Sequence, residues 1–190
     1  MTDEDLKKEI FIDKVYGEVE GNDLTILDIG GCSGFFSIFA QSHAKIIYAF
    51  EPYSLAIKNF KENTKEFKNI KLIEKAVSDV SGEIDLYEDD YAGQSIVHNK
   101  EQKVCKRVQS VILYDFIIEN KIDHIDFMKM DIECAEINVF NSKNFDKVLA
   151  ITDRIAMETH GHNAFIIPIL ENNNFKMLKI DHTCIAERIK

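Results

Sequence analysis

A doubly wound α/β fold with a mostly parallel, Rossmann-like sheet is predicted by three observations. From residue 24 onward, short apolar runs alternate with helix-period segments. The first run, Leu24–Ile29, ends in a glycine turn, Gly30-Gly31-Cys32-Ser33-Gly34. The second, residues 45–50, ends in an acid, Glu51, 21 residues past Gly30. Open sheets of this class bind ligands at the carboxyl ends of their strands, beside the point where strand order reverses. Both the glycines and the acid therefore fall where a ligand belongs.

Taken in order, residues 3–20 read as a helix, with Leu6, Ile10, Phe11, Val15 and Val19 at helical spacing. Gly21-Asn22-Asp23 stops it. Residues 24–29 form a strand buried on both faces, followed by a helix over 33–42. The unit repeats with strand 45–50, helix 53–67 (Leu55, Ile57, Phe60 and Phe67 on its apolar side) and strand 70–77. Ser81-Gly82 turns the chain into an alternating strand at 83–87, and the polar stretch 88–103 reads as a loop. An edge strand at 104–111 and a helix at 113–120 come next. Strand 125–130, helix 134–141, strand 148–157 and helix 164–173 continue the alternation, and 175–180 with 183–189 pair as an antiparallel hairpin.

The length suits one domain, residues 1–190, of ordinary globular composition: 45% hydrophobic and 29% charged. Thirty-three acids against 23 Lys and Arg give a formal charge of −10. That balance argues against a nucleic-acid partner, whose phosphates are met by basic patches. Cys32, Cys105, Cys134 and Cys184 fall in no metal-ligand spacing and lie in or beside apolar runs, as reduced core thiols of a cytoplasmic protein do. The N-terminus is acidic where a secretory signal is basic, and no run reaches the roughly 18 apolar residues of a membrane span.

Glycine is required where a ligand or another backbone approaches closely or where φ is positive. A carboxylate at the tip of the second strand can accept both hydroxyls of a ribose, which nicotinamide and S-adenosylmethionine sites share. The glycines discriminate. A dinucleotide fingerprint is G-x-G-x-x-G; counted from Gly30 it meets Cys32 and Phe35, and from Gly31 it meets Ser33 and Phe36. An acid two residues before the first glycine, Asp28, and another glycine four further on, Gly34, are the pattern of methyltransferase cofactor loops instead. The plain alternative is a structural strand-to-helix turn without a ligand.

Asp28-Ile29-Gly30-Gly31-Cys32-Ser33-Gly34-Phe35-Phe36-Ser37, then Ala49-Phe50-Glu51-Pro52, then Ala76-Val77-Ser78-Asp79 with Gly82, then Lys129-Met130-Asp131-Ile132-Glu133-Cys134-Ala135-Glu136, resemble the FkbM-type methyltransferases over residues 24–160. Two positions depart: the family usually has Asn where Cys32 stands and Gly where Cys134 stands. The resemblance implies a class I methyltransferase fold with a seven-stranded sheet and S-adenosylmethionine as cofactor. On that reading Gly30, Gly31 and Gly34 let the loop close over the cofactor. Asp28 orients the loop and the methionine amino group, Glu51 with Pro52 holds the ribose, and Asp79 reaches the adenine side or is a turn residue.

Asp131, Glu133 and Glu136 crowd the end of the strand at 125–130. Acids also suit helix N-termini electrostatically, which is the plain alternative for Glu133 and Glu136. The next strand ends Met157-Glu158-Thr159-His160-Gly161-His162, so adjacent strands would bring Asp131, Glu158 and His160 together. Two roles then compete with a histidine that merely closes a strand. His160 can serve as a general base toward an attacking hydroxyl, or the three can bind a divalent cation that acidifies it; no metal is assigned. A base is called for only when the acceptor is a hydroxyl, so these residues predict an oxygen acceptor; the resemblance implies the same, since many FkbM-type members look like O-methyltransferases of small molecules such as sugars or natural products. N-methylation and a non-catalytic S-adenosylmethionine-binding module are the alternatives. The loop 88–103, with Tyr91, Gly93, Gln94 and Ser95, is placed as a lid or an inert insertion. The N-terminal helix is expected to pack on the sheet, cover the cofactor or mediate a homodimer.

Overall fold

The computed structural model describes residues 2–89, 93–97 and 103–189. The chain opens with α1 (Asp3–Lys7), which widens into a π-helical turn, Lys8–Ile12. Then β1 (Leu24–Ile29), α2 (Phe35–Ala40), β2 (Ala44–Phe50), α3 (Ser54–Thr64) and β3 (Ile70–Ile73) wind outward in one direction. An excursion follows through β4 (Ala76–Val77), β5 (Gly82–Asp89), β6 (Gly93–Ser95) and β7 (Lys103–Val111). After α4 (Leu113–Glu119) the chain returns to the middle as β8 (Ile125–Met130). It finishes through α5 (Glu136–Phe140), α6 (Phe145–Ala150), β9 (Thr152–Glu158), α7 (Asn163–Asn172), β10 (Phe175–Ile180) and β11 (Thr183–Arg188).

The main sheet has seven strands in the order β10-β11-β9-β8-β1-β2-β3. The β1–β2, β2–β3, β1–β8 and β8–β9 pairs are parallel, whereas β11 runs antiparallel to both β9 and β10. This is the class I methyltransferase architecture, with the expected hairpin inserting β11 between β9 and β10. Strand order reverses between β1 and β8, so their carboxyl ends form the crevice.

Apolar side chains on both faces hold the sheet between helices. Leu27, Ile29, Met128 and Met130 pack with Phe116, Val139, Val148 and Ile166 from α4–α7. On the opposite face Ile26, Ile47 and Phe127 pack with Phe35 and Phe36 of α2 and with Ile10 and Tyr16 of the N-terminal segment. Each such buried side chain contributes about 1.5–3 kcal/mol relative to exposure, which fixes the register of β1 against both neighbours. No helix among the described residues is long and apolar enough to cross a membrane.

The structure corrects four sequence expectations. The N-terminal helix ends at Ile12 rather than running to residue 20. Lys14 and Gly17 take left-handed backbone angles (φ 47° and 79°), and the chain turns inward so that Tyr16 and Val19 are buried without a helix. The single strand at 70–77 is two strands, β3 in the main sheet and β4 beside β7 in a second sheet of order β4-β7-β5-β6. The stretch read as a loop contributes β6 and the start of β7 to that second sheet, in which β7 lies between β4 and β5 and is not the edge strand expected; Tyr91 lies outside the described residues. The strand expected at 148–157 begins at Thr152, because Phe145, Val148 and Leu149 recur at three- and four-residue spacing and bury as a helix, α6.

Candidate active site

A cavity of about 570 Å³ opens at the reversal point, within the size range of sites for cofactor-sized ligands. Its floor is the ends of β1, β2 and β8, and its walls come from the N-terminal helix (Leu6, Glu9) and the small sheet (Leu86, Ile96). One end is mostly apolar, with Phe50, Pro52, Ala56, Ala76 and Val77; the other carries Glu9, Asp131, Glu133, Glu158 and His160.

The glycine loop rests on its neighbours without room for side chains. At Gly30 (φ 84°) a Cβ would stand 1.8 Å from the Asp131 carbonyl oxygen, so β1 and β8 can end side by side only with glycine there. A Cβ on Gly31 would meet the Phe60 ring at 2.9 Å, and one on Gly34 (φ 86°) would meet Thr64 Cγ2 at 2.9 Å, which seats the loop on α3. Glu51 is buried, and both its oxygens are held by backbone: Cys32 N–H donates to Oε2 at 2.9 Å and Tyr53 N–H to Oε1 at 2.8 Å. Burial pushes the Glu51 carboxyl above its ordinary range, opposed by those two bonds. A carboxylate has about four acceptor sites, so two remain for a pair of ribose hydroxyls. The residues present fit S-adenosylmethionine on this ground.

Asp28 lies fully buried beneath the loop, outside the lining of the cavity. Its Oδ2 accepts from Ser37 Oγ at 2.7 Å, and Lys129 Nζ stands 3.4 Å from its Oδ1. Lys129 in turn donates to the Gly30 carbonyl at 2.5 Å and sits 5.3 Å from the centre of the Tyr16 ring. Tyr16 completes the chain of contacts by donating its hydroxyl to Asp131 Oδ2 at 2.8 Å. Asp28 thus acts on the loop through Lys129, and the buried pair supports Gly30 from below.

At the acidic end the β8–β9 pairing brings Asp131 and His160 together and places Glu158 in the same cavity lining, but Glu133, and not Glu158, completes the close cluster with them. His160 Nε2 is 3.4 Å from Glu133 Oε2 and 3.8 Å from Asp131 Oδ1. Its Nδ1 is 3.2 Å from Glu136 Oε1, an ion-pair distance without hydrogen-bond alignment. Glu136 is fully buried and accepts from Ile132 N–H at 3.1 Å. Burial works to lower the His160 imidazole, but the contacts with Glu133 and Glu136 and the charges of Glu136 and Asp131 outweigh it and push it up to about 11. These surrounding carboxylates favour the protonated form of the ring. Burial and the Asp131 charge raise the Glu158 carboxyl, opposed by His160.

A family model for the methyltransferase FkbM domain matches residues 28–177, well over half of the chain. The chain belongs to the FkbM methyltransferase family. It is accordingly an S-adenosylmethionine-dependent methyltransferase. An FkbM methyltransferase from Methylobacillus flagellatus KT superposes on this FkbM domain with a TM-score of 0.57 at 12% identity, covering 90% of this chain and 44% of that longer one. A candidate methyltransferase from Streptococcus mutans, solved in complex with SAH, gives a TM-score of 0.57 at 13% identity over 95% of this chain and 97% of its own. An rRNA methylase from Streptococcus thermophilus gives 0.55 at 11% identity, covering 94% and 93% of the two chains. At these identities the three support the fold. No curated protein matches the sequence.

The two positions where this FkbM domain departs from its family both take left-handed backbone angles: Cys32 at φ 46° and Cys134 at φ 73°. Asn and Gly, the family's residues there, are the types that adopt this conformation most readily. Both thiols are exposed, so neither is the core cysteine expected; Cys184 alone of the described cysteines is buried. Pro52 lines the cavity next to Glu51. Asp79 stands outside the cavity lining, taking hydrogen bonds from Ser78 Oγ (2.9 Å) and Asn138 Nδ2 (3.3 Å). Sequence reasoning missed Tyr16 and Lys129. Lys129 had a signal, a lone cation inside an apolar strand, which must be paired when buried. Tyr16 had none, because nothing local marks where an irregular segment docks.

Proposed function

We propose that this FkbM domain methylates a hydroxyl group of a small acceptor such as a sugar or natural product. The observation that carries the reading is the lining of the cavity: the buried Glu51 beside the glycine loop, and an array of proton-accepting carboxylates after β8 and β9. Bound S-adenosylmethionine supplies an activated methyl group on a sulfonium, so the chain's own residues need only align the acceptor and take its proton. Gly30, Gly31 and Gly34 shape the loop, and Glu51 binds and orients the ribose beside Pro52. Asp28 holds the loop through Lys129. Asp131, fixed by Tyr16 through one oxygen, turns the other toward His160. Glu158 on the adjacent strand receives the hydroxyl proton, and His160 holds the acids in place.

Calorimetric titration with S-adenosylmethionine, S-adenosylhomocysteine and NAD tests the cofactor half. Micromolar binding of the first two, lost in Glu51→Ala, is expected; preference for NAD overturns it. The acceptor half is tested on paired acceptors that differ only in hydroxyl versus amine. Transfer to the hydroxyl, with kcat reduced about 10²–10⁴-fold in Glu158→Gln and S-adenosylhomocysteine affinity unchanged, is the expected outcome. Transfer to the amine alone sinks O-methylation.

A further inference from the structure

The acidic end of the cavity has the arrangement of a metal centre, and we propose that Asp131, Glu133 and His160 bind one divalent first-row transition ion such as Mn²⁺. The inference deepens the reading of this cavity as the methyl-transfer site and rests on it.

Each of the three residues offers one donor atom, and the three atoms lie within 4.8 Å of one another. Two of the separations, 3.4 Å from His160 Nε2 to Glu133 Oε2 and 3.8 Å to Asp131 Oδ1, approach those between neighbouring ligands. Around an ion bound at roughly 2.0–2.6 Å, adjacent donors stand about 3–3.6 Å apart, so only a small closure is needed. The donors come from the end of β8, the turn after it and the turn after β9, three segments held by the sheet itself. One imidazole with two carboxylates suits Mn²⁺, Fe²⁺ or Zn²⁺ better than all-oxygen ions.

A second observation separates this cluster from an ordinary patch of acids. Glu136 is completely buried, its Oε1 stands 3.2 Å from His160 Nδ1, and its Oε2 has no hydrogen-bond partner. Metal-bound histidines characteristically direct their second nitrogen at a carboxylate, which fixes the tautomer and the ring. Asp131 Oδ1 is likewise buried without a hydrogen-bond partner, while Oδ2 is occupied by Tyr16. The remaining positions around the ion would face the cavity, where an oxygen of the acceptor can enter. The described residues contain one other such cluster, His124 with Asp126 and Asp153, at the opposite ends of the strands. Its His124 side chain is 50% exposed, against 15% for His160, and the cluster serves as the control.

Mn²⁺ titration of the intact chain, followed by calorimetry and by the electron paramagnetic resonance of free Mn²⁺, tests the proposal. One ion per chain is expected, with affinity lowered at least about tenfold in Glu133→Gln, in His160→Gln and in Glu136→Gln, and unchanged in His124→Gln. Glu133 is partly exposed, so its variant is expected to fold; retained S-adenosylhomocysteine binding verifies that. Failure to take up Mn²⁺, or uptake indifferent to Glu133→Gln and His160→Gln, overturns the metal site. Chain that binds S-adenosylhomocysteine but no Mn²⁺ refutes the centre and leaves the cofactor reading standing. Chain that binds Mn²⁺ at these residues without S-adenosylhomocysteine supports the centre and refutes that reading.

Discussion

Tyr16 reaches from an irregular N-terminal segment to donate its hydroxyl to Asp131 at 2.8 Å, across 115 positions of sequence. The contact ties the segment before β1 to the cavity and determines which Asp131 oxygen stands toward His160. Replacing Tyr16 by Phe keeps the ring under Lys129 and deletes only the donor. Destabilisation of about 1–3 kcal/mol is expected in urea denaturation, with a lower kcat and little change in S-adenosylhomocysteine affinity. An unaltered kcat would show that Asp131 needs no such brace.

Lys129 and Asp28 form a buried pair beneath the loop. Lys129→Met leaves the Asp28 carboxyl without its cation, and breaking such a pair costs about 3–5 kcal/mol. The double variant Asp28→Asn with Lys129→Met is expected to recover part of that loss in thermal denaturation. A recovery of nothing would mean that the Gly30 carbonyl, and not the charge, is what Lys129 serves.

Gly30→Ala places a methyl group in the Asp131 carbonyl at a left-handed backbone position. The two strand ends must separate, so a loss of more than about 3 kcal/mol is expected together with loss of S-adenosylhomocysteine binding. Near-normal melting would contradict the packing described.

Cys134→Gly acts in the opposite direction. A non-glycine residue at φ 73° carries strain of about 1–2 kcal/mol, part of which is returned as glycine's greater unfolded freedom. A net gain of about 0.5–1 kcal/mol is expected in chemical denaturation. Loss of stability would mean that the Cys134 side chain contributes more than its exposure suggests.

Cofactor affinity should depend on acid through Glu51. Its folded carboxyl is raised, chiefly by burial, above the ordinary value of 4.5, so it takes up a proton earlier than an exposed glutamate as pH falls. On the proposed reading the ionised form accepts the ribose hydroxyls, so S-adenosylhomocysteine affinity is expected to be full well above that raised pKa and to decline as pH falls through it. A Glu51→Gln variant should bind weakly and show no such decline; identical profiles for the two proteins would remove Glu51 from the site.

The alternation of strands and helices, the glycine loop, Glu51 and the acids after β8 were legible because each is written locally. A run such as Leu24–Ile29 is apolar on both faces only if buried on both, and Gly30 and Glu51 follow their strands directly. The neighbourhood of β8 and β9 was legible too, which placed Asp131, Glu158 and His160 in one cavity. Harder to read were the places where one apolar pattern suits two structures. Phe145–Ala150 extends the run before β9, yet its burial is helical. The residues from Ala76 to Val111 form a second sheet whose partners are distant in sequence.

What the sequence by itself determined is the layered α/β architecture, the family and the position of the glycine loop, since hydrophobic period and glycine placement act over a few residues. Only the tertiary structure decided which acid meets His160, what lies beneath the loop and which segment closes the cavity. Those outcomes depend on electrostatic contacts a few ångströms long between residues as far apart as Tyr16 and Asp131, or Asp28 and Lys129. Such contacts exist only once the sheet has set the strand ends side by side.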